Sequence, residues 1–177
     1  MKTRVALTLS IALIFGLVSV ANAQLKAGSP EDEAFTKIQD EKDTDAKLAL
    51  LLEFEKRFPN TNGRTLATIY MMAMDIYSEK NVNAKIAEYG DKAIAKDPDN
   101  VSALLRVSRN YSAEKTNLAK AVEYAEKAKT LIGNMRNQPA PTGQTDAQWK
   151  QWLDANARSA EDYSVYAKML QSLGNNK

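Results

Sequence analysis

The sequence predicts an all-α chain of about seven helices, and three observations carry that reading. Beyond the first two dozen residues, apolar side chains recur at helical spacing almost throughout. No stretch alternates with period two for long enough to make a strand. The third observation is internal repetition. The stretch KIAEYGDKAIAKDPDN (85–100) returns in altered form as KAVEYAEKAKTLIGN (120–134). A shift of 35 positions lays Lys85 on Lys120, Glu88 on Glu123, Tyr89 on Tyr124, Asp91 on Glu126, Lys92 on Lys127 and Ala93 on Ala128.

The elements follow in chain order. Residues 1–23 read as a signal peptide: Lys2 and Arg4, an uncharged run of 16 residues from Val5 to Val20, then an Ala-x-Ala site. Ala21 and Ala23 flank that site, and cleavage is expected before Gln24. The run is shorter than the roughly 20 residues of a spanning helix, so export with cleavage is expected rather than a retained anchor. Residues 24–177 would form the mature helical domain.

Its first helix opens at Ser29 and Pro30, with the acids of residues 31–33 favourable at the positive end of the helix dipole. The next is capped by Asp43 or Thr44, carries Leu48, Leu51, Leu52, Phe54 and Phe58, and stops ahead of Pro59. A third runs from Thr65 with the stripe Leu66, Ile69, Tyr70, Ala73 and Tyr77. The fourth carries Ile86, Tyr89, Ala93 and Ile94 and ends at Asp97-Pro98. Asn100 caps a fifth striped by Leu104, Val107 and Tyr111, and Thr116 a sixth that ends at Gly133. The connector 134–144 is rich in proline and glycine. Thr145 and Gln148 then form a capping box for the final helix, 145–172.

These helices come in pairs. A shift of 34 lays Tyr70 on Leu104, Ala73 on Val107, Met74 on Ser108 and Tyr77 on Tyr111, while the second helix of each pair matches at 35. One residue is therefore inserted in the turn between helices. On these residues, with Ala93 and the closing Asp97-Pro98, the chain resembles the tetratricopeptide repeat family. Residues 67–100 and 101–134 resemble two clear repeats, and 31–62 a divergent earlier one. The resemblance implies a superhelix of roughly three repeats plus a C-terminal capping helix. Departures are Ile86 and Gly90 where the family carries a small residue and an aromatic, and Gly133 where it carries proline.

Composition narrows the function. Without the leader the 24 basic and 22 acidic residues become 22 of each, interspersed, which argues against a nucleic-acid partner. The chain has no Cys and no His, which removes disulfides, the common zinc sites and the Cys–His and Ser–His nucleophile pairs. No cofactor and no metal are expected, and the chain reads as a non-enzyme. Acids at 31–33, 40–45 and 97–100 fall where helices start and end, which suits capping better than paired-carboxylate hydrolysis. Trp149 and Trp152 could form a platform for a sugar or peptide, but core packing is the simpler use. Met71, Met72 and Met74 offer either a soft surface or gap filling.

The family resemblance implies a groove for a protein or peptide partner lined by Met71, Asp75, Ser78, Leu105, Arg109 and Ser112. The family's carboxylate-clamping members carry lysine, asparagine and arginine at groove places that hold Met71, Asp75, Ser102 and Arg106 here; only Arg106 matches in charge, so that clamp is not expected. The expected function is a protein-interaction module of the bacterial envelope, periplasmic or extracellular. A carbohydrate-binding protein, a carboxylate-dependent hydrolase and a membrane-anchored assembly are the alternatives.

Overall fold

The computed structural model describes residues 25–175, which form seven helices and no strand. In order they are α1 (Pro30–Asp40), α2 (Thr44–Arg57), α3 (Gly63–Glu79), α4 (Asn83–Lys96), α5 (Val101–Glu114), α6 (Leu118–Met135) and α7 (Asp146–Asn175). The leader and the cleavage residues Ala21, Ala23 and Gln24 lie outside the described residues. Among the described residues, no helix is long and apolar enough to cross a membrane.

Local chemistry sets most boundaries. Ser29 caps α1 by accepting from the Asp32 amide, and Asp43 rather than Thr44 caps α2 by accepting from Ala46. The α3 helix starts at Gly63, earlier than its apolar stripe, because Asn62 accepts from the Thr65 amide at 2.9 Å. Only a glycine fits there, since a Cβ at residue 63 would stand 2.8 Å from the Lys96 carbonyl oxygen. Asn100 caps α5 as expected. In the box at α7, Thr145 and Gln148 each accept from the other's amide, at 3.2 and 2.9 Å.

Two terminus expectations are corrected at α6. Its cap position is Asn117, not Thr116, and it makes no side-chain bond. The helix also runs through Gly133 to Met135. Gly133 is an exposed helical residue, and the left-handed glycine of this region is Gly143, in the connector.

The inserted residue can be located. Tyr77 and Tyr111, 34 apart, each accept at the carbonyl from the turn, from the amides of Val82 and Thr116, both at 2.9 Å. Asn81 and Lys115, also 34 apart, share the left-handed conformation. The second turn then adds Asn117, again left-handed, before the next helix begins.

Consecutive helices pack as antiparallel neighbours, and the buried residues join in one core. Its centre is Leu66, Ile69, Ala73 and Met74 of α3, Ala93 of α4, Leu104 and Val107 of α5, and Ala121 and Ala128 of α6. Small residues on the second helices let the axes approach closely. The departure at Gly90 has the same cause: a Cβ there would lie 2.1 Å from Val107 Cγ2 and 3.1 Å from Met74 Sδ.

The α7 helix runs antiparallel to α6. The direction is fixed by Arg136 with Asp154 (2.8 Å), Lys129 with Glu161, and Lys168 with Glu126 (2.7 Å). It also packs on α5, so α5 has three close helical neighbours, α4, α6 and α7.

Candidate functional site

The central helix α5 is covered on most sides. Val101, Ala103, Leu104, Leu105, Val107, Ser108, Tyr111 and Ser112 are all buried. What stays outside is chiefly a stripe at helical spacing, Ser102, Arg106, Arg109 and Ala113. On α3 the corresponding outer stripe is Thr68, Met72, Asp75 and Glu79, with Met71 and Ser78 beside it. The shift of 34 carries each of these stripe residues onto its partner: Thr68 to Ser102, Met72 to Arg106, Asp75 to Arg109, Glu79 to Ala113. The repeat therefore places two matched rows of side chains on one side of the array.

An ion pair between Arg106 Nη1 and Asp75 Oδ1 bridges the rows. Both side chains are substantially solvated, so the pair adds at most about 1 kcal/mol and mainly orients the two groups. Among the described residues, Arg109 makes no ion pair, and neither does Arg64 in the first turn of α3. The half-buried Met71 and Met72 supply apolar surface between the charges. The face thus offers guanidinium donors, one paired acid and a soft apolar strip.

Sequence reasoning placed Met71, Asp75, Ser78, Arg106 and Arg109 here, and the structure brings them to this side. Leu105 and Ser112 are different. They are 5% and 2% exposed, and the Ser112 hydroxyl donates to the Ser108 carbonyl at 2.8 Å. They are wall rather than lining, because both side chains are buried. Ser102 was placed in the groove only as a clamp position the resemblance implies, whereas Thr68 and Met72 were missed as lining residues. The signal for them was available, since they lie opposite the α3 counterpart of the stripe Leu104, Val107 and Tyr111.

The other candidates resolve into structural uses. Trp149 and Trp152 stack on each other, ring centroids 5.1 Å apart and 11° from parallel, and pack against the core. The Trp149 indole nitrogen is buried and has no hydrogen-bond partner. Met74 is wholly buried. Asp32 accepts from the Gly28 amide, Glu41 from the amides of Lys42 and Asp43, Asp45 pairs with Lys80, and Asp99 pairs with Lys127.

Carboxylates on the second helices tie each unit to the next. Glu55 of α2 accepts from Lys92 of α4 at 2.9 Å. Asp91 of α4 accepts from the Tyr111 hydroxyl (2.7 Å), the Tyr124 hydroxyl (2.9 Å) and Lys120 (3.0 Å). Glu126 of α6 accepts from Ser164 (2.5 Å) and Lys168 (2.7 Å) of α7. Burial, and then the bond to Asp91, push the Tyr111 hydroxyl up to about 12 and raise that of Tyr124 as well. The Lys168 and Ser164 bonds hold the Glu126 carboxyl below its ordinary range. These contacts fix the register between units.

Compared with known proteins, the chain matches no family model and no curated protein.

Proposed function

We propose that this chain is a non-enzymatic interaction module of the tetratricopeptide type, exported by its N-terminal leader, that binds a partner protein through the stripes of α3 and α5. One observation carries the reading: the two stripes are related by the repeat shift, remain solvent-accessible, and include Arg109 with no ion pair among the described residues. Parallel rows at regular spacing suit an extended or helical peptide, whose side chains recur at comparable intervals. Arg109 and Arg64 favour acidic groups on that peptide, and Met71 and Met72 accommodate apolar ones of varied shape.

Photo-crosslinking in the native envelope tests this. Probes replace Met72 and Arg109 in the full chain, with a control probe at Lys127 on α6. The expected result is one discrete adduct shared by the two stripe probes, absent from the control and weakened when Arg109→Glu accompanies the Met72 probe. Adducts that ignore Arg109→Glu, or none at either stripe position, would remove the reading while leaving the fold intact.

A further inference from the structure

The carboxylates that join successive units recur in the sequence at near-constant intervals: Glu55, Asp91 and Glu126 are 36 and 35 residues apart. A further 36 residues reach Asp162, which lies on α7 and so outside the second-helix series. The first three each accept from a lysine of the following unit. Asp162 is exposed and has no ion pair among the described residues. Beside it, on the same outward side of α7, lie Val165, Tyr166, Met169 and Leu173, between 42% and 57% exposed. Four large apolar residues along one helix face, headed by an unmatched acid, have the composition of a unit-to-unit contact rather than of a solvated outer face.

The complement stands at the other end of the array. Between α1 and α2 lies a cleft of about 120 Å³, with Ala34, Leu50, Phe54 and Phe58 among its apolar lining. Small-molecule sites start near 300 Å³, so this space is sized for a side chain rather than for a ligand of that kind. On its rim stands Lys37, exposed and without an ion pair among the described residues. The rim's other cation, Arg57, is already taken by Glu53 at 2.9 Å.

We propose that a second copy of this chain docks end to end: Met169 of one copy enters the cleft between α1 and α2 of the next, and Asp162 pairs there with Lys37. The contact joins copies by a carboxylate–lysine pair, the chemistry that also joins units within the array. Because the two surfaces differ, the contact is heterologous and copies add head to tail. It leaves the α3 and α5 stripes free, so it stands or falls independently of the peptide-binding reading.

Sedimentation velocity of the full chain over a wide concentration range tests it, with circular dichroism confirming that each variant remains helical. The wild type should shift progressively to larger species as concentration rises. Met169→Glu and Leu50→Gln should each sediment as monomers, and their mixture should stop at a dimer, since each supplies the face that the other lacks. Asp162→Lys should lose association and regain it when combined with Lys37→Asp. A wild type that stays monomeric at all concentrations overturns the proposal, as does a Met169→Glu protein that still associates. A Leu50→Gln protein that remains dimeric alone would show α7 pairing with α7 and would overturn it equally.

Discussion

The hairpins α3–α4 and α5–α6 are related by one repeat shift, yet they fill the space between their helices differently. At matching places the first carries Met74 and Gly90, the second Ser108 and Ala125. In the first, a long flexible side chain fills the space beside a residue that has none, and Val107 of the following helix shares that space. In the second, the small Ser108 is buried and spends its hydroxyl on the Ala121 carbonyl at 2.7 Å, tying α5 to α6. The difference shows that one repeat register accepts two ways of filling the space between its helices, bulk from one side or a buried hydrogen bond between small residues.

The largest expected effect breaks the first arrangement. Met74→Ala leaves a void that Gly90 cannot fill and should cost about 2–5 kcal/mol in denaturant unfolding. Gly90→Ala attacks the same contact by overfilling it. Because Val107 would have to move, the expected loss is about 1–3 kcal/mol, partly recovered by adding Val107→Ala. At the matched place in the second hairpin the outcome should be milder. Ser108→Ala removes one buried hydrogen bond and leaves the Ala121 carbonyl its helical partner, for about 1 kcal/mol. If Ser108→Ala costs as much as Met74→Ala, the two hairpins do not differ in the way described.

Lys115 sharpens the comparison at the turns. It is left-handed with φ of 54°, as its counterpart Asn81 is with 56°. Asparagine tolerates that conformation better than lysine, so Lys115→Gly should raise stability by about 0.5–1 kcal/mol. Thermal unfolding would read it as a higher Tm.

The smallest effect concerns pH at the joint between α6 and α7. Glu126 has its folded-state pKa lowered, so its contribution is present above the unfolded value and is lost as pH falls through the folded one. Acidification through the carboxylate range should therefore weaken the wild type slightly more than Glu126→Gln. Unfolding curves at stepped acidic pH would show the gap between the two closing, and a constant gap would mean that Glu126 does no such work.

A second contrast lies between the outer faces of the same two hairpins. Met71 is half-buried and Ser78 exposed, whereas their repeat counterparts Leu105 and Ser112 are covered. The family resemblance implied a surface place for all four, and the structure puts only Met71 and Ser78 there. The resemblance works from the residues of one unit, whereas α5 also packs against α7, which begins more than thirty residues further along the chain.

The sequence by itself determined the helices, most of their caps, the pairing into hairpins and the place of the inserted residue near the turn. All of these depend on side chains within a few residues of one another, where spacing and capping chemistry act directly. Asp75, Arg106 and Arg109 were marked as groove residues only by what the family resemblance implies, and the structure places them on the outer face, away from the buried stripe. Only the tertiary structure decided that Asp75 and Arg106 pair with each other, that Leu105 and Ser112 are wall, and that Trp149 and Trp152 stack together. Each outcome depends on how closely two helices approach and on what a third helix covers. Those distances are set by the fit of the whole core, which no local pattern encodes.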